Sequence, residues 1–213
     1  MLCLIALWAR PVHAEPSMTD IKVDANGNYL ILDAFLKGAF SSKLTEIIES
    51  GLPMTFIYKI ELLKRVSIFA DSLISKNKVT NTVHYDTLKK VFTFTSEGKS
   101  VHRKVHTKSL ERYQTLMLTL KNIPVAPLYK LDQDEQYYVR VKAAMETDEG
   151  FWFPFNYLLF FVPINEFETS WAESPSLVLD VDPDFPSDDS KKNSLSGENH
   201  PKVMKNVIRS FSQ

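Results

Sequence analysis

From Met54 to Leu62 the chain alternates with a period of two. Met54, Phe56, Tyr58, Ile60 and Leu62 are apolar, while Thr55, Ile57, Lys59 and Glu61 fall between them. Successive side chains on a strand point to opposite faces, so this pattern predicts a strand with one firmly buried face. Val79 to Tyr85 and Val91 to Thr95 predict two more strands, joined by Asp86-Thr87-Leu88-Lys89-Lys90. Glu97-Gly98-Lys99 then turns the chain into a strand from Val101 to His106. Nearer the N-terminus, Ile21-Lys22-Val23 and Tyr29-Leu30-Ile31-Leu32 flank Asp24-Ala25-Asn26-Gly27-Asn28. Asn-Gly supplies the positive φ angles of a tight turn and predicts a β-hairpin. The spacing of Asp24, Asn26 and Asn28 is not that of a calcium loop, because Tyr29 stands where its glycine is required and Phe35 where its acid is.

Two stretches follow the helical period instead. Ser41 or Ser42 can cap a short helix through Ile48, with Leu44, Ile47 and Ile48 on one face, Glu46 near its third position, and Gly51 as its stop. Thr107 is placed to cap a second helix from Ser109 to about Asn122, with Leu110, Tyr113, Leu116, Met117 and Leu120 as its apolar stripe and Pro124 and Pro127 beyond it. Tyr137 to Met145 predicts a further strand, and Phe167 to Trp171 a final one. Together these elements predict an α+β, mainly β fold: an antiparallel β-sandwich or curled sheet with two packed helices, over residues 15–178.

The ends of the chain differ from its middle. In residues 1–14 an apolar run, Leu2 to Ala9, precedes Val12-His13-Ala14. The run is far below the ~20 residues needed to span a bilayer. Small residues at the −3 and −1 positions before Glu15 fit a cleaved secretory signal peptide, which places the mature protein in the periplasm. Residues 179–200 scatter Asp180, Asp182, Asp184, Asp188 and Asp189 among Pro and Ser, the composition of a disordered acidic linker. In residues 201–213, Val203, Val207 and Phe211 recur at helical spacing with Lys202, Lys205 and Arg209 between them. This predicts a short basic amphipathic helix that forms on binding a membrane surface or an acidic groove.

Composition narrows the partners. The chain has 213 residues with 25 Lys and Arg against 26 Asp and Glu, a formal net charge of −1, so no nucleic acid is expected as a partner. Cys3 is the only cysteine and leaves with the signal peptide. The mature chain is thereby deprived of disulfides, thiolate metal sites and a cysteine nucleophile.

Candidate chemistry is sparse. Ser96-Glu97-Gly98-Lys99 matches Ser-x-x-Lys, but that motif works across one helical turn and here sits on a Gly-containing hairpin loop. Gly-x-Ser-x-Gly, His-Glu-x-x-His and phosphate-binding glycine fingerprints are missing, so the chain is not expected to be an enzyme and no cofactor is expected. His102 and His106 are the best metal candidates, on one face of a strand, but Lys104 between them repels a cation and no carboxylate lies nearby in sequence. Phe151 to Phe161 is dense in aromatics, with Trp152, Phe153, Phe155 and Tyr157 as candidate contact residues. The segment either closes the core or meets lipid headgroups or a membrane-protein partner.

Short motifs in a fixed order carry a resemblance. They are Gly51-Leu52-Pro53-Met54-Thr55-Phe56, Val83-His84-Tyr85, Ile123-Pro124-Val125, Tyr137-Tyr138-Val139-Arg140-Val141 and Phe167-Glu168-Thr169-Ser170-Trp171. Over about residues 19–175 the chain resembles an uncharacterised family of secreted domains known from proteobacteria, whose members are often encoded beside a membrane sensor kinase of the nitrogen-regulation type. The resemblance implies no catalytic residues; it implies an association with envelope signalling. The expected function is that of a periplasmic, non-enzymatic interaction or accessory domain that partners an inner-membrane signalling protein. The alternative is a carrier of a lipid or other apolar ligand, with Phe153, Phe155 and Tyr157 lining its cavity.

Overall fold

The expected Asn-Gly hairpin forms between β1 (Ser17–Asn26) and β2 (Tyr29–Lys37). Asn26 pairs with Tyr29, so the two turn residues are Gly27 and Asn28, with Gly27 at φ +57°. Glycine at the first turn position gives the strands the twist a two-residue loop needs. The computed structural model describes residues 15–146, 166–180 and 207–211. β1 begins four residues before the expected Ile21, because a register shift between Thr19 and Lys22 lets pairing continue past it.

Helix α1 (Ser42–Glu49) is capped by Ser41, whose side chain accepts from the Leu44 N–H at 3.1 Å, and it buries Leu44, Ile47 and Ile48 as the spacing predicts. With Ser41 as the cap, the third helical position is Leu44, and Glu46 plays no part in a capping box. β3 (Met54–Lys64) buries Met54, Phe56, Tyr58, Ile60 and Leu62. It also buries Ile57, Glu61 and Leu63 on its other face, because it lies between β4 (Ser72–Asp86) and β8 (Tyr137–Glu146). β5 (Val91–Gly98) and β6 (Val101–Thr107) extend the sheet to an edge.

The second helix is shorter than its apolar spacing predicts. α2 (Leu110–Leu118) is capped by Ser109, not Thr107, and its stripe is carried by Tyr113 and Met117, while Leu110 is exposed. The chain then becomes extended as β7 (Thr119–Pro127), an edge strand paired antiparallel with β2. Leu120, Ile123 and Val125 face the core from it, and Pro124 is tolerated because an edge strand has donors to spare.

Phe167–Trp171 is not a regular strand. Only Ala144 and Glu168 bridge there, and the Thr169 and Ser174 hydroxyls accept from the Ala143 and Val139 N–H groups, both at 3.0 Å, where a flat strand would offer carbonyls. The short β9 (Ala172–Glu173) pairs with β8 between these two points, and β10 (Ser176–Asp180) follows. β10 ends at Asp180. Val207–Phe211 is extended as β11, antiparallel to β10, where the spacing predicts a helix that forms on binding. Residues 1–14, 181–206 and Val203 among them lie outside the described residues, as does the aromatic segment with Trp152, Phe153, Phe155 and Tyr157.

Among the described residues two antiparallel sheets result, ordered β1-β2-β7 and β11-β10-β8-β3-β4-β5-β6, with β9 alongside β8. They pack without closing into a barrel. The small sheet and both helices cover the inner face of the large one, and a single cluster of buried side chains fills the space between. Phe92 stacks on Tyr113 with ring centroids 4.2 Å apart. The fold is therefore α+β and mainly β, as expected.

Candidate anion-docking face

The outward face of the large sheet is set by the same alternation that builds the core. With Tyr58 and Ile60 turned inward, Lys59 and Glu61 must face outward. Register places Lys59 directly opposite Lys78 on β4 and Lys142 on β8. Three lysines therefore stand side by side across three central strands, with the row Arg140, Glu61 and Lys76 beside them. Like charges directly opposite one another on a sheet are destabilising, and the surrounding contacts show how that is managed.

Glu61 is the anchor. Its side chain is buried, and Oε2 accepts from Arg140 Nε at 2.8 Å and Nη2 at 2.7 Å, while Oε1 lies 3.6 Å from Lys76 Nζ. Glu168 binds Lys142 and lies 4.0 Å from Lys59. The hydrogen bond from Lys142 holds the Glu168 carboxyl below the ordinary carboxylate range. The Trp171 ring lies under both cations of β8, 4.6 Å from the Arg140 guanidinium and 5.1 Å from Lys142 Nζ. Such cation–π contacts let the ring accept positive charge without neutralising it. Lys78 has no carboxylate partner among the described residues. Among the described residues, Lys59, Lys76, Lys78, Arg140 and Lys142 are set against Glu61 and Glu168, with Glu173 opposite Arg140 in register. More cations than carboxylates thus stand around a shallow groove of about 350 Å³ floored by β3 and rimmed by Trp171. Chemically this is a place for carboxylates or phosphates to sit.

Residues 13–174 match the family described as a domain of unknown function, DUF4390. That span is more than half of the chain. The chain belongs to the DUF4390 family. No curated protein and no solved structure matches it. The match agrees with the expected uncharacterised domain over residues 19–175, and it includes every residue of the DUF4390 cationic face from Lys59 to Trp171. β10 and β11 fall outside it.

The residues singled out in the sequence are distributed elsewhere. His102, Lys104 and His106 are exposed on edge strand β6, where charge guards a free edge against pairing. His106 Nδ1 lies 3.1 Å from Thr93 Oγ1, and among the described residues no group of three His, Cys, Asp or Glu is arranged to hold a metal. Ser96 is buried on β5, with Lys99 in the following turn, so the Ser-x-x-Lys residues are separated by strand geometry. A pocket of about 730 Å³ between Ser17–Met18 and Phe167–Ala172 is lined by Glu15, Glu166 and Glu168, a poor setting for an apolar ligand.

The lysine row escaped the sequence reading although part of its signal was there. Alternation puts Lys59 and Glu61, Lys76 and Lys78, and Arg140 and Lys142 on outward positions. Which of them stand opposite one another depends on register between strands, and β3 and β8 are separated by more than seventy residues.

Proposed function

We propose that this chain is an exported, non-enzymatic interaction domain. It docks an acidic surface of an inner-membrane signalling protein against the outward face of its large sheet, in the periplasm. The observation that carries this reading is the row of Lys142, Lys59 and Lys78 in direct cross-strand register. A partner's carboxylates would relieve the repulsion that the isolated sheet bears, and complementary charge sets the encounter rate and register of such contacts. The Leu2–Ala9 run and Ala14 support export, and the resemblance to secreted domains encoded beside sensor kinases supports the class of partner. Tyr58, Ser75 and Asn81 donate to backbone carbonyls, which supports a structural role for these side chains.

The test has two parts. N-terminal sequencing of the exported protein should begin at Glu15; a chain that still starts at Leu2 or Cys3 overturns the export. Isolation of the complex from the native host's membranes should fail when Lys59 and Lys78 are both changed to Glu, with the fold intact by circular dichroism. Unchanged recovery of the same membrane partner overturns the docking face.

A further inference from the structure

Exposed apolar side chains concentrate at one end of the sandwich. Among the described residues, Ile68 is 86% exposed, Phe69 78% and Tyr129 83%, and Leu73 and Tyr29 are also exposed. Ile68 and Phe69 lie in the connection from β3 to β4, and Leu73 is the second residue of β4. The Arg65 N–H donates to the Gln136 carbonyl at 2.8 Å, which sets the 128–136 segment beside that connection. Tyr29, Tyr129, Ile74, Lys99 and Lys130 share one groove of about 230 Å³. The remaining large exposed hydrophobics, Leu88 and Leu110, belong to the turn after β4 and the start of α2.

The loop is built to hold its apolar residues outward. Asp71 Oδ1 accepts from the Val66 N–H at 3.1 Å, and Oδ2 accepts from the Tyr138 hydroxyl at 2.7 Å. Both ends of the loop are thereby tied to the sheet, and the Arg65 guanidinium stacks 5.1 Å from the Tyr138 ring centre. Ile68 and Phe69 occupy the middle of this clamp, with no covering element among the described residues.

The chemistry is also layered. Ser75 and Asn77 line the groove that holds both tyrosines, and they lie three and five residues into β4 from Ser72. At about 3.3 Å per residue that puts the tyrosine groove roughly 10–17 Å behind the loop. Lys99 and Lys130, in the same groove, have no carboxylate partner among the described residues. An apolar tip followed by aromatic hydroxyls and free ammonium groups repeats the order of a bilayer interface, from acyl chains to headgroup phosphates. A protein partner would have to offer a deep apolar cleft to a convex loop; a bilayer deforms around it.

We propose that this end of the domain inserts into a lipid bilayer, with Ile68 and Phe69 among the acyl chains, Tyr29 and Tyr129 at headgroup level, and Lys99 and Lys130 on lipid phosphates. The surface adjoins the cationic sheet face at Asn77, but its apolar tip at Ile68 and Phe69 lies outside that face, so each proposal can fail without the other.

The probe is the purified chain with vesicles of phosphatidylcholine and phosphatidylglycerol, read by co-sedimentation. The wild-type chain should sediment with them, and Ile68→Ser/Phe69→Ser should lower partitioning about tenfold or more, given the apolar area withdrawn, with an unchanged melting curve. The Phe69→Trp variant should show added fluorescence that lipids brominated in their acyl chains quench. Lys99→Glu/Lys130→Glu should weaken binding, while Lys59→Glu/Lys142→Glu, on the strands farther from the groove, should leave it within about twofold, as expected for charges away from the contact. Failure of the wild-type chain to bind, full binding by Ile68→Ser/Phe69→Ser, absence of quenching, or loss of binding only on reversing the sheet-face lysines would each overturn the proposal.

Discussion

The Tyr58 hydroxyl donates a hydrogen bond of 2.6 Å to the Met117 carbonyl, joining the central strand of the large sheet to the last turn of α2. The end of a helix leaves carbonyls without intrahelical partners, and here the sheet supplies the donors. Asn81 Nδ2 reaches the same carbonyl at 3.2 Å and that of Leu116 at 3.4 Å. Farther along β4, Ser75 and Asn77 both donate to the Val125 carbonyl at 2.7 Å, satisfying the outer edge of β7. Burial pushes the Tyr58 pKa well up, so the hydroxyl stays a donor across the working pH range.

Tyr58→Phe should therefore cost about 1–1.5 kcal/mol, the usual net value of a buried hydrogen bond. Asn81→Ala should cost more, because it also leaves the Leu116 carbonyl bare. The two donors share one acceptor, so the double variant should lose at least about 0.5 kcal/mol beyond the sum of the singles. Denaturant melts of the four proteins measure it; strict additivity would mean that the carbonyl is satisfied some other way.

Glu61 and Glu168 both neutralise the cationic face, yet they should respond very differently to removal. Glu61→Ala strips a buried carboxylate from the partly exposed Arg140 and Lys76 and should cost about 1.5–3 kcal/mol. Glu168 is half-exposed, so Glu168→Ala should melt close to wild type while raising affinity for anions on the sheet face. Equal destabilisation by the two would contradict the anchoring role given to Glu61.

Asp33 gives the fold an acid limit. Burial alone would raise its pKa, but the Asn122 N–H, donating at 2.7 Å, and the Lys121 ammonium outweigh it and hold the carboxyl below its ordinary 3.8. With the folded pKa depressed, the stabilisation is fully present above the unfolded value and is lost as pH falls through the folded one. Asp33→Asn should cost about 1–2 kcal/mol near neutrality. The gap to wild type should narrow below about pH 4 and close at lower pH. A pH-independent gap would show that the charge of Asp33 contributes nothing.

The Val79–Gly98 pair holds β4 and β5 close together. A Cβ on Gly98 would come within 2.9 Å of the Lys78 carbonyl oxygen, a backbone atom that can yield only by separating the strands. Gly98→Ala should cost about 1–3 kcal/mol, and it should weaken binding at the sheet face because Lys78 shifts with its carbonyl. A wild-type melting temperature would show that the hairpin end is loose.

What could be read in the sequence divides along local and non-local lines. Met54 to Leu62 shows its strand by alternation, and Ser41 announces its helix by capping, since each signal needs only neighbouring residues. Thr119–Pro127 misleads because Leu120 extends the apolar spacing of Tyr113 and Met117, while its pairing with β2 joins residues some ninety positions apart. Val207 to Phe211 shows the helical spacing and no alternation, and its pairing with β10 is a non-local contact that the spacing does not carry. The uncharacterised domain family was legible from motif order. The cationic face was not, because a row of lysines exists only once three strands are in register.

The most direct measurement of the docking face is photo-crosslinking in the native host from Thr80, which lies two residues from Lys78 on the same side of β4. A photoreactive residue there should give one discrete adduct with an inner-membrane protein, the contact lying in an acidic segment, and the adduct should vanish when Lys59 and Lys78 are both changed to Glu. No adduct from Thr80, or one that survives the charge reversal undiminished, would contradict the account.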